Sequence, residues 1–392
     1  MKDLLKKAIE TRRELHSRPE LSLEEVETSK YIRNRLKELG IFIDDRFSGT
    51  SVVGLIEGEK PGLTIALRAD MDALAIEEKN SVDYKSKNLG VMHACGHDGH
   101  VAMLLAAAEH IVKNKESLCG NVKVIFQSAE EKFGGARTLV QEGVLSSPEV
   151  DAVFALHLWP DIPKGVLGLK EGCSMASNAK FEISIKGKSA HGAMPHLGSD
   201  ALLVAAEVAT SLQSIVSRNV NPLDPAVLTI GKLLAGTEYN ILAADAHMQG
   251  TVRAVSSDIE DLIEDKMKNI VNGICEARDC KGSVEFIRQY PPTINSIEAI
   301  KHISDMAEKI YGKESILKLN SPYMTAEDFA YYISGIRDAE SPIKGARGAL
   351  VFLGTKDDKY NYPLHHEKFN FDEEVMEIGI KLLVEIGMNY LR

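Results

Sequence analysis

Residues 93–100 concentrate metal-binding side chains in one short segment. They read His-Ala-Cys-Gly-His-Asp-Gly-His and stand immediately before the apolar run 101–108. Borderline-soft divalent cations such as zinc prefer imidazole and thiolate ligands, and Cys95 and His97, two residues apart on a turn, can reach one cation together. A helix that follows them favours the thiolate through its N-terminal dipole. The segment therefore predicts a divalent-metal site whose remaining ligands come from elsewhere in the chain.

Other candidate side chains follow predicted buried strands. Glu130 and Glu131 are adjacent residues that point in different directions, so one carboxylate can bind a metal while the other faces the water that the metal activates. His157 follows a strand and predicts an imidazole emerging into the same crevice. His365 and His366 follow a later strand, and only one of them needs to point inward. A cysteine protease with Cys95 as nucleophile is the competing interpretation, but it leaves these other side chains without a role.

The apolar patterns predict the elements that must position these residues. Strand and helix signatures alternate along the chain, which predicts an α/β layer with a largely buried sheet. The predicted strands are residues 51–57, 63–67, 122–126, 151–156 and 349–353, and the predicted helices are 101–112, 136–142 and one from 371 onward. A turn is predicted over 58–62. The candidate side chains fall at the carboxyl ends of strands or the amino ends of helices, where open α/β sheets form ligand crevices.

A second fold begins near residue 178, where polar and apolar residues alternate strictly. The predicted order is strand 181–185, helix 200–216, strands 226–230 and 246–255, helix 258–279 and strand 283–289. Strand, helix, strand, strand, helix, strand is the ferredoxin-like order. We therefore predict a catalytic domain over 1–177 and 293–392 that is interrupted by an inserted domain over 178–292. His191 lies in this insert and can polarise a substrate from a lid.

Composition restricts the class of protein. A length of 392 residues favours two domains, and a net charge of −11 argues against nucleic acid or an anionic membrane as partner. The N-terminus predicts an amphipathic helix rather than a signal peptide, and no apolar run reaches membrane-spanning length, so we expect a cytoplasmic protein. The five cysteines are scattered without a Cys-x-x-Cys pair, which predicts no disulfide framework.

Several short motifs, in order along the chain, resemble those of the M20 metallopeptidases. The similarity is to the branch of aminoacylases, hippurate hydrolases and indole-acetyl-amino-acid hydrolases, and it covers essentially the whole length. The matching blocks are 68–74 (Arg-Ala-Asp-Met-Asp-Ala-Leu), 92–100, 129–131, 157–160, 189–191, 327–330 and 364–366.

The resemblance implies a catalytic domain of the metallopeptidase type and a centre of two divalent ions, Zn²⁺ or Mn²⁺, with Co²⁺ or Ni²⁺ as alternatives. The implied ligands are Cys95, His97, Glu131, His157 and His365. His365 is preferred over His366 because the family's motif places a phenylalanine four positions after the ligand, where Phe369 stands. Glu130 is implied as the general base and Asp72 as a residue that steers a ligand.

The resemblance also implies that the inserted domain is a lid through which a homodimer forms. His191 and Asn240 would contact the substrate, in the same subunit or in the partner's site, and Arg253 would hold a substrate carboxylate. Departures from the family pattern, such as Ala75 in place of the usual proline, concern loop rigidity and substrate range. No implied metal ligand is missing.

The expected function is hydrolysis of the amide bond of an N-acyl-amino acid or a short peptide. A dipeptidase, a carboxypeptidase or an N-acetyl-diaminopimelate deacetylase would use the same centre. A non-catalytic metal-binding protein would not need Glu130 beside Glu131.

Overall fold

The computed structural model describes residues 1–390, which form two compact units. The first unit comprises Met1–Ser174, Ile294–Ser321 and the described chain from Asp328, and the second comprises Met175–Thr293 and Pro322–Glu327. The last of these segments falls inside the predicted catalytic stretch 293–392. It groups with the second unit because the amide of Ala176 donates to carbonyls at 323 and 325, at 2.9 and 3.1 Å.

The α-helices, in chain order, are α1 (Lys2–His16), α2 (Val26–Glu38), α3 (His97–Lys113), α4 (Gly135–Gln141), α5 (Ala201–Arg218), α6 (Ser257–Ala277), α7 (Ile297–Tyr311), α8 (Ala330–Ser334) and α9 (Met376–Asn389). Short 3₁₀ turns occupy Lys115–Ser117, Pro195–Leu197, Lys313–Ser315 and Glu373–Val375.

The strands are β1 (Phe42–Ile43), β2 (Val52–Glu57), β3 (Lys60–Asp70), β4 (Cys119–Gln127), β5 (Ala152–Pro163), β6 (Leu167–Leu169), β7 (Gly172–Met175), β8 (Asn178–Lys186), β9 (Ala226–Ala235), β10 (Asp245–Ala254), β11 (Lys281–Tyr290), β12 (Thr293–Asn295), β13 (Ile316–Lys318) and β14 (Arg347–Lys356).

The first unit is built on a sheet whose central strands are parallel. Within residues 1–390 its strand order is β1-β2-β4-β3-β5-β14-β6-β13. The four strands β4, β3, β5 and β14 run parallel, whereas β2 and β6 pair antiparallel with their neighbours β4 and β14. Helices α3 and α9 contribute to the same hydrophobic core as these strands, which accounts for their apolar sequences. This architecture confirms the predicted α/β class.

The start of α3 is shaped by a glycine. Gly96 precedes the helix at φ 85°, a left-handed conformation that glycine adopts without steric penalty. A Cβ at this position would lie 2.9 Å from Leu158 Cδ1 on β5, so a larger residue would require this side chain to shift. The turn that carries Cys95 and His97 can therefore pack directly against β5. The apolar run after it, residues 101–108, is buried throughout.

The second unit is a four-stranded antiparallel sheet in the part of the chain that the structure describes. Its order is β11-β8-β10-β9, with β8 and β10 in the centre. Phe181, Ile183 and Ile185 of β8 are buried against α5 and α6, which explains the strict alternation of that strand. The predicted succession of strands and helices in this region is observed, with each element within a few residues of its predicted bounds.

Several elements of the first unit differ in extent from their predictions, β3 and α9 among them. The turn predicted over 58–62 is confined to residues 58 and 59, because β3 already begins at Lys60 and continues to Asp70. The last helix was predicted from Phe371 but begins at Met376, since Asp372 accepts from the Glu374 amide and starts a 3₁₀ turn first. Among residues 1–390, no helix is both long and apolar enough to span a bilayer.

Candidate metal centre

The parallel strands bring the candidate residues to one edge of the sheet. β3 ends at Asp70, and β4 ends three residues before Glu130. His157 lies within β5 rather than after it, because this strand continues to Pro163. The pairing of β3 with β5 ends opposite residue 155, whereas β5 stays paired with β14 past His157, which lies opposite Phe352. Asp70, His157 and the Glu130 loop thus lie at or near the carboxyl ends of parallel strands, where open α/β sheets form ligand crevices.

Side-chain contacts shorter than 4 Å join the five candidate ligands into a group of three and a pair. His97 Nε2 lies 3.9 Å from Glu131 Oε1, and His365 Nε2 lies 3.4 Å from the same oxygen. Cys95 Sγ lies 3.7 Å from His157 Nε2. Possible ligand atoms of Cys95, His97 and Glu131 all lie within 4.8 Å of one another. The structure thus gathers these residues from four separate segments of the first unit.

Hydrogen bonds to carbonyl groups orient two of the imidazoles. His97 Nδ1 lies 2.9 Å from the carbonyl oxygen of Asp72, and His157 Nδ1 lies 2.7 Å from the carbonyl oxygen of Leu158. Because a carbonyl oxygen only accepts, each Nδ1 must carry the proton when the ring is neutral. The lone pair of each neutral ring is then on Nε2, which faces the cluster. Metal-binding histidines are commonly oriented in this way.

Two buried atoms of the cluster make no hydrogen bond in the described part of the chain, although each lies within 4 Å of another candidate ligand. Within residues 1–390, His97 Nε2 and Glu131 Oε1 are buried without a hydrogen bond. Most buried polar atoms in native proteins are hydrogen-bonded, so two such atoms without a hydrogen bond beside a thiol require an explanation. A divalent cation would satisfy both, and thiolate, imidazole and carboxylate are suitable donors for it. The residues therefore fit a metal centre.

The metal-free cluster retains protons on two of its members. Burial and the nearby carboxylates of Glu131 and Glu130 raise the pKa of Cys95 well above its usual range. Burial alone would lower the pKa of His97, but the carboxylates of Asp70 and Asp72 outweigh it and raise this pKa to about 10. Burial lowers the pKa of His157, which is therefore neutral. A cation must displace the first two protons in order to bind.

His100 is close to the cluster, but both of its ring nitrogens are already used. Its Nδ1 lies 2.5 Å from Asp70 Oδ1, and its Nε2 accepts from the amide of Leu158 at 3.0 Å. His100 therefore supports the site rather than offering a free lone pair. Asp70 also accepts from Arg68 at 2.5 Å, and although burial opposes it, this guanidinium helps to keep the pKa of Asp70 well below its usual range.

Arg68 is at the centre of a buried polar network that sequence reasoning missed. Its guanidinium donates to Gln127 Oε1 at 2.9 Å and to Asp328 Oδ1 at 2.8 Å, in addition to Asp70. Asp328 in turn accepts from the Ala136 amide at 2.9 Å, next to the start of α4. A charged residue inside an otherwise apolar strand was the available signal, because such a residue is buried only when it is paired.

Asp72 holds the loop that carries the two glutamates. Its Oδ1 accepts from the Glu130 amide at 3.1 Å and its Oδ2 from the Glu131 amide at 3.0 Å. The same carboxylate lies 3.4 Å from His97 Nδ1. Burial opposes ionisation of Asp72, but the hydrogen bond and charge of His97 lower its pKa nevertheless. Glu130 is 7% exposed and lies beside the ligand cluster in sequence.

Only His365 of the adjacent histidine pair faces the cluster. Its backbone has φ 61°, and its amide donates to the carbonyl of Ala94 at 2.8 Å, which ties it to the Cys95 segment. His366 instead stacks on Tyr362, with ring centroids 4.5 Å apart. The left-handed backbone at His365 explains how two adjacent imidazoles point in such different directions.

The three residues predicted to contact substrate lie in the second unit, in two places. His191 and Asn240 belong to paired loop segments, since the Gly192 amide donates to the Asn240 carbonyl at 2.7 Å. Arg253 lies near the far end of β10, roughly 25 Å along the strand from Asp245. Its guanidinium donates to the Asn178 side chain and has no salt bridge within residues 1–390. Burial lowers the pKa of Arg253.

Known proteins resemble this chain over most of its length. It is 40% identical to thermostable carboxypeptidase 2 of Saccharolobus solfataricus, over 95% of this chain and 92% of that protein. It is 44% identical to the N-acyl-L-amino acid amidohydrolase of Geobacillus stearothermophilus, over 72% and 76%. The structure of the YXEP protein of Bacillus subtilis, a dinuclear metal-binding peptidase from the M20 family, superimposes with a TM-score of 0.84 at 32% identity, covering 100% of this chain and 99% of that one.

These similarities confirm the predicted resemblance and the prediction that the protein is a hydrolase. The sequence model of one family covers residues 66–389, a span that contains every candidate ligand and Glu130. The chain belongs to the Peptidase family M20/M25/M40.

Proposed function

We propose that this protein hydrolyses the amide bond of N-acyl-amino acids with the help of two divalent metal ions, Zn²⁺ or Mn²⁺. The residues that would hold the ions are Cys95, His97, Glu131, His157 and His365. The observation that carries the proposal is the pair of buried atoms of His97 and Glu131 that make no hydrogen bond within residues 1–390, next to Glu130 in the chain. Co²⁺ or Ni²⁺ would suit the same donors.

Glu130 is the proposed general base. When bound, divalent ions of this class polarise a carbonyl group and lower the pKa of water to about 7. The Glu130 carboxylate takes the proton of the attacking water as the new C–O bond forms, and then passes this proton to the amine nitrogen as the C–N bond breaks. The products are a carboxylate and a free amino acid. Asp72 fixes the backbone amides of both glutamates, so that neither carboxylate has to be reoriented during the reaction.

The relatives support an N-acyl-amino acid as substrate and a peptide as the alternative. One relative is named an N-acyl-L-amino acid amidohydrolase and another a carboxypeptidase, and both activities cleave the amide bond to an amino acid with a free carboxylate. Arg253 is the proposed partner of that carboxylate, because a guanidinium without an acidic partner can bind one with two parallel hydrogen bonds.

The second unit is proposed to act as a lid and to form a homodimer. Arg253 and the His191–Asn240 loops lie toward opposite ends of β10, so a small substrate cannot contact both within one subunit. One substrate can contact both when one subunit supplies Arg253 and the other supplies the His191–Asn240 loops. The proposed dimer surface is the edge strand β9, where Leu233 and Leu234 are 41% and 56% exposed, together with Leu202 and Leu203 of α5.

The central experiment combines metal analysis with a substrate panel. Purified protein is expected to retain about two divalent ions per chain and to cleave N-acetyl- or N-benzoyl-amino acids, with dipeptides and longer peptides as the competing class. Glu130→Gln should keep the metal and lose about 10²–10⁴-fold in kcat. Near-normal turnover of this variant would refute the role of Glu130. Absence of turnover by metal-replete wild-type protein on the whole panel would refute the proposed function.

Mixing two inactive variants tests whether His191 acts across the dimer. In a mixed dimer of Glu130→Gln and His191→Ala chains, one of the two sites has both residues intact if His191 comes from the partner. Because half of the dimers are mixed, about a quarter of the wild-type activity should return. If His191 acts within its own chain, mixing restores nothing. Leu234→Lys should convert the dimer to monomers in analytical ultracentrifugation.

A further inference from the structure

Four consecutive backbone amides of the loop that carries Glu130 and Glu131 are held by buried side chains. The Ser128 amide donates to Ser51 Oγ at 3.1 Å, and the Ala129 amide donates to Glu25 Oε1 at 2.8 Å. The next two amides donate to the Asp72 carboxylate, as described above. Loops of this kind usually satisfy their amides with water or with their own turn. Here each amide has a side-chain acceptor from a distant segment of the first unit.

Ala129 and Phe133 are residues of this loop with a left-handed backbone, and Ala129 is the one directly before Glu130. The φ of Ala129 is 57°, a left-handed conformation in which the Cβ lies too close to the following carbonyl oxygen. Ala129 is fully buried, and its carbonyl accepts from the Gly135 amide at 3.1 Å. A strained residue persists only where its surroundings hold it in place. The hydrogen bond from its amide to Glu25 is one of the contacts that do so.

Glu25 is an unusual residue for a purely structural position. It is completely buried, its other oxygen accepts from the Thr50 hydroxyl at 2.6 Å, and it has no salt bridge within residues 1–390. A buried carboxylate without a cationic partner is costly to maintain. An uncharged side chain of similar size would fill the same space at a lower cost in desolvation. The hydrogen bond from the Ala129 amide gives a reason for a carboxylate at this position, because an ionised oxygen is a stronger acceptor than a neutral one.

We propose that Glu25 is a positioning residue for the catalytic loop, in which it fixes Ala129 in the left-handed conformation and thereby aims the Glu130 and Glu131 carboxylates. This inference rests on the proposed roles of the two glutamates. Without the Glu25 acceptor, Ala129 relaxes toward a right-handed or extended backbone, and the direction of the chain changes immediately before both carboxylates. Loss of Glu25 should therefore weaken metal binding and lower kcat, although Glu25 touches neither metal nor substrate.

The test compares three variants of the full-length protein. Glu25→Ala removes the acceptor. Glu25→Gln keeps an acceptor oxygen for Ala129 and offers an N–H to the Thr50 oxygen. Thr50→Val removes the other hydrogen bond of Glu25 and leaves the loop untouched. It is therefore the matched control for a loss of stability around Glu25 that does not alter the loop. The measurements are Tm, kcat and KM on the best substrate of the panel, and titration with Co²⁺ followed by the near-ultraviolet sulfur-to-cobalt absorption of Cys95.

The expected result separates positioning from stability. Glu25→Ala should lose about 10–100-fold in Co²⁺ affinity and in kcat, with KM little changed, which is the range found for residues that orient metal ligands. Glu25→Gln should recover most of both losses, and Thr50→Val should lower only Tm. If Glu25→Ala matches Thr50→Val in kcat and Co²⁺ affinity, the inference is wrong.

Two further arrangements keep the test decisive. If Glu25→Ala does not fold, Glu25→Asp replaces it, because the shorter carboxylate cannot reach both Ala129 and Thr50, and the same losses are expected. The Co²⁺ titration needs no substrate, so it tests the role of Glu25 even if the wild-type protein cleaves nothing on the panel. Conversely, an active wild type with an unaffected Glu25→Ala variant would overturn this inference alone.

Discussion

Replacement of Arg12 by methionine tests whether a buried ion pair behind the metal centre stabilises the first unit. Arg12 Nε donates to Asp98 Oδ2 at 2.9 Å, and the two side chains are 1% and 0% exposed. The guanidinium also donates to Asn370 at 2.8 Å and lies 4.5 Å from the ring centroid of Phe371. Burial alone would raise the pKa of Asp98, but the charges of Arg12 and His16 hold it well below its usual range. Asp98 is therefore ionised in the folded protein and needs these partners.

The expected loss follows from the burial of the pair. Removing one partner of a buried ion pair costs about 3–5 kcal/mol in the free energy of unfolding, out of a typical total of roughly 5–15 kcal/mol. Arg13→Met is the matched control, because Arg13 is on the same helix and donates to Glu373 at 2.6 Å, but its side chain is 44% exposed. An exposed pair contributes about 0–1 kcal/mol. Arg12 Nη1 also donates to Glu373, at 3.1 Å, so both variants remove a contact with Glu373 and only Arg12→Met also removes the buried pair with Asp98.

Urea unfolding followed by tryptophan fluorescence measures the difference in the free energy of unfolding of the first structural unit. Trp159 is the only tryptophan of the chain and is buried in the first unit, which also contains Arg12. Chelator-treated protein is used, because bound metal would add stability of its own. Adding Asp98→Asn to Arg12→Met should recover part of the loss, since it removes a buried charge that only His16 still offsets. Equal losses for Arg12→Met and Arg13→Met would refute the argument.

The remaining predictions concern acidity and the metal ligands. The pKa of Asp98 is lowered from 3.8, so the stability that this ionised group contributes is present above that pH and is lost as acidification proceeds through the folded pKa. His97 has its pKa raised from 6.5 to about 10, so its contribution to the metal-free protein is complete below pH 6.5 and is lost as the pH approaches 10. Co²⁺ affinity should rise over the same pH interval, because the cation displaces the His97 proton. Calorimetry in buffers of different ionisation enthalpy should detect the released proton. A Co²⁺ affinity that does not change with pH would contradict this prediction. Cys95→Ser should abolish the sulfur-to-cobalt absorption while circular dichroism stays unchanged. Asp72→Asn leaves one acceptor oxygen for two loop amides and should lower kcat about 10–100-fold, measured beside its Tm.

The elements that were predicted correctly are those with long, uniform apolar patterns. Residues 101–108 of α3 and the alternating strand β8 are buried as their sequences require. Helix α2 was missed because its buried face includes Thr28 and Ser29 beside Ile32 and Leu36, so that polar residues interrupt the apolar period. The bounds of β3 and α9 also differ from their predicted positions, because hydrogen bonds to neighbouring segments decide where a strand or helix begins and ends.

The candidate ligands show the same division between local pattern and packing. Residue types and the strand-end position led to Cys95, His97 and the adjacent glutamates, and the resemblance supplied the choice of His365. The supporting contacts could not be read in this way, because Glu25 and Ala129 are 104 positions apart in the chain. Arg68 and Asp328 are 260 positions apart. Contacts over such separations depend on how the strands pair and not on any local pattern.

The sequence by itself determined the donor types, the alternation of strands and helices, and the change to a second fold near residue 178. These properties follow from side-chain chemistry and hydrophobic period, which act over a few residues. Only the tertiary structure decided which imidazole nitrogens are free, which of two adjacent histidines faces Glu131, and which buried side chains hold the Glu130 loop. Those outcomes depend on angles and distances between segments that meet only after the parallel sheet has formed.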